Sequence, residues 1–423
     1  MTISVRIIPP AKHLEFLRAQ PSASFLQTPA WGKVKPEWES ESLGWFDGDN
    51  QMIGAGLVLY RQVPKLKRYL AYLPEGPVAD WAKVDLEQFL TALVRHAKDR
   101  GAFGVRIGPV LVMRAWDAET IKAAIADPAV TTLSEADPDE INPVGTRLHN
   151  QLRHLGWLPP KPETEGFAAG QPRFNYWLPL AHPDGTAKTP DEVLKGMNQL
   201  WRRNIRKAAK AGVVVRQGSR SDLAAFHAIY LETAERDGFT PRPPEYFETM
   251  WDALRGEDPD RIRLYLAEHE GDVVAATTWV RVGEHAWYSY GASTSAKREV
   301  RGSNAIQWQM IQDALAAGAT VYDLRGITEG LEAGDPQLGL IQFKVGTGGR
   351  AVEYPGEWDL PINRPLYRAF DAYMNRGALA AKVRELRKNP FRIVAAAVRL
   401  GRKPAGAVKT LRKSVADQKA AQA

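Results

Sequence analysis

The stretch Leu86–Gly108, LEQFLTALVRHAKDRGAFGVRIG, carries the pattern that decides the fold. Its first part places apolar side chains at helical spacing, Gly101 is suited to end that helix, and a short segment of alternating strand character follows. The stretch Asn304–Arg325, NAIQWQMIQDALAAGATVYDLR, repeats the pattern with Gly318 in the position of Gly101, an offset of 217 residues. We therefore predict an internal duplication.

An apolar strand is predicted upstream of each helix, and a turn rich in Gly and Asp leads into each strand. These strands are Met52–Tyr60 (MIGAGLVLY) and Val273–Val280 (VVAATTWV). Aligning Ala55 with Ala275 gives an offset of 220 residues, close to that of the helices. The fold class is thus expected to be α/β (α+β), built from two similar units in tandem.

The length of 423 residues also favours two cores over one. Residues 158–172, LPPKPETEGFAAGQP, are rich in Pro and Gly and are predicted to link the units. We place the first unit at 1–172 and the second at 173–355. Residues 356–423 are expected to pack back on the first unit and to continue as a basic amphipathic tail.

Composition and missing motifs exclude several kinds of site. The chain has 0 cysteines, so disulfides, thiolate nucleophiles and sulfur-ligated zinc sites are excluded. The sequence has no P-loop, no dinucleotide fingerprint after a strand, no G-x-S-x-G elbow and no H-E-x-x-H pair. We expect no metal and no cofactor. The N-terminal residues lack the apolar run of a signal peptide, so a cytoplasmic location is expected.

The positive charge is concentrated at the C-terminus. From Arg376 onward there are 13 basic and 2 acidic residues, a net charge of +11, whereas the preceding residues carry −4. Apolar positions in this stretch recur at helical spacing, and Pro390 and Pro404 divide it into short segments. Peripheral contact with an anionic membrane, a solvated tail and tRNA binding are all consistent with this pattern.

A second basic stretch is the predicted helix over 201–212, WRRNIRKAAKAG, which includes Arg203, Arg206 and Lys207. Charged runs on helices are usually solvated faces, and a surface for a polyanion is the alternative.

The strand–helix–strand units resemble those of GNAT-type acyltransferases, in which the helix beginning near residues 298–305 would grip the pyrophosphate of CoA. That grip would need Gln or Arg three residues before Gly302 and Gly or Ala two residues after it. This chain has Glu299 and Asn304 at those positions. A different acyl donor is therefore expected.

Five further segments carry a more specific resemblance. They are Ser24–Lys35 (SFLQTPAWGKVK), Pro74–Val78 (PEGPV), Asn204–Ala208 followed by Gly212-Val213, Tyr288–Ser293 (YSYGAS) and Gly339–Gly346 (GLIQFKVG). Together, and in this order, they resemble the Fem family of peptidoglycan bridge aminoacyltransferases.

The resemblance implies two GNAT-like units and the transfer of an amino acid from aminoacyl-tRNA to the stem-peptide side-chain amine of a peptidoglycan precursor. The precursor would be nucleotide-linked or lipid II. No long heptad segment is present, so the chain resembles members without a coiled-coil arm, and a monomer is expected. Arg203, Arg206 and Lys207 would then form a tRNA surface or a second basic surface.

The resemblance also assigns candidate catalytic residues. Lys344, in the motif Phe343-Lys344, would stabilise transition-state charge; a surface lysine on a glycine-rich loop is the alternative. We expect Lys344 to follow a glycine-containing strand. Asp323 is a candidate proton acceptor or, equally, a capping group.

A diphosphate-bearing acceptor requires convergent cations. The resemblance assigns this part of the site to four residues, with Lys33 and Arg236 as competitors for the two cationic positions. The four are Lys35, Arg242, Tyr246 and Tyr290. Tyr290 could instead be an ordinary strand aromatic.

One position departs from the family pattern. Many members have an acidic residue before the proline that follows the Arg106 strand, where this chain has Gly108-Pro109.

Two other functions remain open: a CoA-dependent N-acyltransferase, and a non-catalytic protein of the same fold that binds membranes or nucleic acid.

Overall fold

The computed structural model describes residues 2–159 and 170–374. Most of the predicted linker and the basic tail after Arg376 lie outside these residues. Residues up to Ile362 form one compact unit, and helix α12 belongs to a second unit that starts at Asn363.

Within the described residues the strands form two mixed sheets, one of seven and one of nine strands. The strands are β1 (Ser4–Ile7), β2 (Glu39–Phe46), β3 (Met52–Val63), β4 (Leu66–Leu73), β5 (Val78–Ala79), β6 (Ala102–Ile107), β7 (Arg114–Asp117), β8 (Glu140–Ile141), β9 (Phe174–Pro179), β10 (Val214–Gly218), β11 (Ile262–His269), β12 (Asp272–Val282), β13 (His285–Ser293), β14 (Val321–Ile327), β15 (Arg350–Glu353) and β16 (Trp358–Pro361).

Twelve α-helices lie within the described residues. They are α1 (Pro10–Arg18), α2 (Trp31–Val34), α3 (Leu86–Asp99), α4 (Ala118–Ala126), α5 (Pro143–His154), α6 (Pro190–Gly196), α7 (Gln199–Lys210), α8 (Leu223–Asp237), α9 (Pro244–Glu257), α10 (Gly302–Ala316), α11 (Leu338–Val345) and α12 (Arg364–Met374). None of these helices is both long and apolar enough to span a bilayer.

The predicted α/β class is confirmed, and the duplication is visible in the topology. The first sheet runs β1-β2-β3-β4-β6, and the second sheet runs β10-β11-β12-β13-β14 over its corresponding part. In each sheet a helix, α3 or α10, connects two parallel neighbours. The predicted strands at 52–60 and 273–280 correspond to β3 and β12.

The sheets exchange strands across the predicted boundaries. β7 and β8 join the second sheet through β15, and β16 pairs with β6 of the first sheet. The boundaries at 172 and 355 stay predictions.

The two parallel pairs differ at their carboxyl ends. β4 and β6 pair up to Leu73 and Ile107. β13 and β14 pair only from His285 to Trp287, after which β14 continues beside β9 alone. The second sheet therefore opens between β13 and β14, in contrast to the first sheet.

A shared core joins the two sheets. Phe25, Trp31 and Leu57 from the first sheet region are buried together with Leu264 and Trp287 of the second. The rings of Phe25 and Trp287 meet edge to face, with 5.4 Å between centroids. This apolar packing fixes the second sheet's opening against the loops of the first sheet.

Candidate active site

Four predicted acceptor residues come together beside the opening. Lys35 follows α2, Arg242 directly precedes the prolines that start α9, Tyr246 lies in the first turn of α9 and Tyr290 lies in β13. The Lys35 Nζ atom lies 5.0 Å, and the Arg242 Cζ atom 5.3 Å, from the Tyr246 ring centroid. The hydroxyl oxygens of Tyr246 and Tyr290 lie 2.7 Å apart. Three separate segments thus build one cluster, which we call the cation–tyrosine cluster.

A β-bulge places Tyr290 in this cluster. The register between β12 and β13 shifts between Ala276 and Thr278, with the additional residue on β13. Tyr290 has φ +50° there, a conformation that non-glycine residues rarely adopt. The bulge redirects the side chain out of the regular strand alternation.

Within the described residues, neither Lys35 nor Arg242 forms a direct ion pair with a carboxylate, although Glu37 acts on Lys35 through its charge. Burial, and then repulsion from Arg242, lowers the pKa of Lys35. Burial raises the pKa values of Tyr246 and Tyr290, so both phenols stay protonated at neutral pH. The cluster therefore offers two cations and one uncommitted phenolic O–H to an anion.

The competing residues make other contacts. Lys33 is exposed on α2. Arg236 forms an ion pair with Asp237 at 2.8 Å and donates to the carbonyl of Ser293 at 2.8 Å. Neither joins the cation–tyrosine cluster as the structure describes it.

Lys344 is buried, with 3% of its surface exposed. The Nζ atom donates to the carbonyl oxygen of Gly326 at 2.6 Å and to that of Arg325 at 3.2 Å. Burial lowers the pKa of Lys344 to about 7, while Asp323 opposes the shift and Arg325 adds to it. The expected strand before Lys344 is wrong, because the residue lies in helix α11. The alternative of a surface lysine is also wrong, because Lys344 is buried.

Phe343 connects Lys344 to the basic helix α7. Its ring lies 4.7 Å from that of Trp201, and its carbonyl oxygen accepts a hydrogen bond from the Trp201 indole at 2.8 Å. A Cβ atom at Gly346 would come within 2.4 Å of the Trp201 ring, so only glycine fits there.

The exposed face of α7 carries Arg203, Arg206, Lys207 and Lys210. The spacing places them along one side of the helix. Within the described residues none of the four has a carboxylate partner. We call this face the α7 basic stripe.

Asp323 is buried and already used by three donors. Its carboxylate accepts hydrogen bonds from the Trp177 indole at 3.1 Å and from the Arg325 backbone N–H at 2.6 Å, and it contacts the His285 Nε2 at 3.2 Å. These contacts favour the capping role, and proton acceptance stays a prediction.

Sequence reasoning did not single out Glu357 or Arg325. The Cγ atom of Glu357 lies 3.4 Å from where a Cβ of Gly108 would stand. Burial raises the pKa of Glu357, and its carboxyl group accepts hydrogen bonds from Tyr72 and from the Gln171 N–H. A largely buried carboxyl group, with 11% of the side chain exposed, thus lies beside the position where this chain lacks an acidic residue.

A cavity of about 140 Å³ lies between β12, β13, α8 and the first turns of α10. Five of its lining residues carry hydroxyl groups, namely Thr233, Thr277, Tyr288, Ser293 and Ser303. Within residues 2–159 and 170–374, no group of three or more His, Asp or Glu side chains is placed to hold a metal ion.

Comparison with known proteins identifies the family. The FemAB family model matches residues 8–269 and 261–374, and the chain belongs to this family. The lipid II:glycine glycyltransferase of Staphylococcus epidermidis is 26% identical, over 89% of this chain and 97% of its own length. The UDP-N-acetylmuramoylpentapeptide-lysine N(6)-alanyltransferase of Weissella viridescens is 30% identical, over 84% of this chain and 94% of its own length.

The fold is shared with a solved member of the family. The crystal structure of FemX superposes with a TM-score of 0.71 at 22% identity, covering 86% of this chain and 99% of that chain. The curated relatives are transferases that add amino acids to peptidoglycan precursors. The predicted Fem-family membership is confirmed.

Proposed function

We propose that this protein transfers an amino acid from aminoacyl-tRNA to the stem-peptide side-chain amine of a peptidoglycan precursor. The observation that carries the proposal is the cation–tyrosine cluster, in which Lys35 and Arg242 converge without carboxylate partners within the described residues. Two such cations suit the diphosphate shared by nucleotide-linked and lipid-linked precursors. The glycyltransferase and the alanyltransferase described above act on precursors of these two kinds.

The chemistry needs no covalent intermediate, because the ester of the donor is already activated. The amine nitrogen forms a bond to the ester carbonyl carbon, the bond to the ribose oxygen breaks, and the proton lost by the amine restores the ribose hydroxyl. Lys344 supplies a buried positive charge for the oxyanion that forms on the carbonyl. The opening between β13 and β14 provides the site of transfer.

The α7 basic stripe serves as the tRNA surface in this proposal. It is attached to the helix that carries Lys344 through Trp201 and Phe343, so an acceptor stem bound on α7 would lie next to the catalytic lysine. A CoA donor is less well supported, because Glu299 and Asn304 replace the residues of the pyrophosphate grip.

The basic stretch after Arg376 would hold the enzyme on anionic membrane as a monomeric, peripheral protein of the cytoplasmic face. Each basic residue near such a surface contributes about 1 kcal/mol. Truncation after Tyr373 should abolish salt-sensitive co-sedimentation with anionic liposomes while transfer to a soluble precursor continues. Retained liposome binding would refute this role and leave the catalytic proposal intact.

The proposal is tested with charged total tRNA and the two precursor forms, assayed in parallel. Mass spectrometry should detect a precursor heavier by one amino acid residue. A modified nucleotide-linked precursor with no modified lipid II, or the reverse, would identify the natural acceptor. Lys344→Met is the matched inactive control, since it removes the charge and preserves most of the side-chain volume.

A further inference from the structure

Arg325 touches both sheets at the opening. Its backbone belongs to β14 of the second sheet, where it has φ +64°. A non-glycine residue in this conformation stores strain that neighbouring contacts must offset. The offsetting contact is the hydrogen bond from the Arg325 N–H to Asp323 at 2.6 Å.

The side chain of Arg325 reaches the loop between β4 and β5 of the first sheet and the segment that precedes β9. One guanidinium nitrogen lies 2.9 Å from the Glu75 carboxylate, and another donates to the side-chain oxygen of Gln171 at 3.0 Å. The Glu75 carboxylate also accepts a hydrogen bond from Ser24 at 2.5 Å. Glu75 is 4% exposed and the Arg325 side chain is 19% exposed, so removal of one partner leaves a largely buried, uncompensated charge.

The backbone carbonyl of Arg325 accepts a hydrogen bond from the catalytic lysine. The carbonyl oxygens of Arg325 and Gly326 are the two acceptors of the Lys344 Nζ atom. The direction of these carbonyls depends on the left-handed turn at Arg325. The path from the first sheet to the lysine therefore consists of Glu75, the Arg325 side chain, the Arg325 backbone and the Lys344 Nζ atom.

We propose that Arg325 is a positioning residue that couples the packing of the two sheets to the placement of the Lys344 ammonium group. The inference rests on the proposed function for its catalytic consequence. In this proposal Glu75 affects turnover through its ion pair with Arg325 and does not contact either substrate. An altered contact in the first sheet changes turnover through the geometry of a lysine in the second sheet.

The primary test is Glu75→Gln in the full chain, which keeps the side-chain shape and removes the charge. Turnover should fall by about tenfold to a hundredfold, since small displacements of a catalytic group have effects of that size, and the acceptor KM should stay within about twofold. Arg325→Gln should behave alike, and the double variant should be no worse than either single variant. Arg216→Gln on β10, which breaks the ion pairs of Arg216 to Asp222 and to Glu268 of β11, is the control and should leave turnover unchanged.

A second measurement does not depend on catalysis. Asp323 and Arg325 of β14 are the charged groups that act on the Lys344 Nζ atom, while Glu119 and Lys122 of the adjacent α4 pair with each other at the surface. Removing Arg325 removes a repulsion, so the pKa of Lys344 in the folded protein should rise, and the pH range over which its stability cost declines should begin at a higher pH. Urea unfolding of Arg325→Gln, with and without Lys344→Met, measures this shift over pH 6 to 10, and Arg216→Gln should show none.

The outcomes separate the two proposals. A folded Glu75→Gln enzyme with unchanged turnover, or with an effect confined to KM, overturns the role of Arg325 while transfer itself stands. A wild-type protein that transfers nothing refutes the proposed function. In that case the urea unfolding series still tests whether Arg325 acts on Lys344. An Arg325→Gln variant whose pH dependence of stability is unshifted overturns the proposed placement of the Lys344 ammonium group.

Discussion

The hydroxyl oxygens of Tyr246 and Tyr290 lie 2.7 Å apart, and they join a helix to a strand across 44 positions of sequence. Because one hydroxyl must donate to the other, the pair has a single O–H left for a ligand. The Tyr246 ring also lies close to Lys35 and Arg242. The two tyrosines thus form one hydrogen-bonded pair, which we propose binds the acceptor as a unit.

Removing either hydroxyl should weaken acceptor binding. Tyr246→Phe and Tyr290→Phe are each expected to raise the acceptor KM about tenfold, since a hydrogen bond to a charged group contributes about 1.5 kcal/mol. The double variant should resemble the single ones, because the hydroxyls act together. Steady-state kinetics check this, with Tyr60→Phe in the first sheet as control. Independent, additive effects would show that the tyrosines do not form a unit.

Lys344 and Arg242 should differ in the kinetic constant that they affect. Lys344→Met should lower turnover much more than acceptor binding, because in the proposed function the Lys344 charge acts on the transition state. Arg242→Ala should mainly raise the acceptor KM, because in the proposed function Arg242 binds the ground-state acceptor. If both variants change only the acceptor KM, this division of roles is wrong.

Burial of Lys344 should also lower the free energy of unfolding, by an amount that depends on pH. The pKa of Lys344 is about 7 in the folded protein, against about 10.4 in the unfolded chain. Between these values the unfolded state binds more protons, so the free energy of unfolding of the wild type rises with pH. Below pH 7 the wild type bears the full cost of the buried charge. The stabilising effect of Lys344→Met should therefore be largest there and shrink toward pH 10.

Urea unfolding at a series of pH values measures this effect. Lys210→Met, on the exposed face of α7, is the matched control and should show no trend. A Lys344→Met protein no more stable than the wild type at pH 6 would contradict the burial argument.

The α7 basic stripe should govern donor affinity alone. Replacing Arg203, Arg206 and Lys207 with Gln should weaken tRNA binding and reduce the slope of log K against log salt by about 0.7 to 0.9 for each phosphate that the protein no longer neutralises. The acceptor KM should be unaffected. Filter binding across salt concentrations measures the slope. A triple variant with Lys67→Gln, Arg95→Gln and Lys98→Gln is the control, because it changes the net charge by the same amount. An equal loss of affinity in both triple variants would assign the effect to net charge.

The repeated framework was predictable from sequence because its signals are local. Helical spacing followed by a glycine marks α3 and α10 correctly, with boundaries within a few residues. The segment before Lys344 was predicted as a strand because a short apolar run with glycines fits either state. Its buried residues, Ile341, Lys344 and Val345, follow helical spacing, and Ile341 and Val345 pack with apolar residues of the second sheet such as Tyr322.

Some residues of the candidate site could likewise be proposed from the sequence, and others could not. The cation–tyrosine residues could be proposed from the family resemblance, and the structure brings them together. Arg325 and Glu357 could not, because their importance depends on contacts between residues far apart in sequence, Glu75 with Arg325 and Gly108 with Glu357. No local pattern encodes a left-handed turn whose carbonyls bind a distant lysine.

The most direct test of the central claim is a donor-competition assay with the full chain and a peptidoglycan precursor. Total tRNA charged with labelled amino acids is supplied in one reaction and labelled acetyl-CoA in another, with ribonuclease-treated charged tRNA as control. We predict label in the precursor only with intact charged tRNA, at a rate that Lys344→Met reduces strongly. Saturable transfer from acetyl-CoA without any requirement for tRNA would contradict the account.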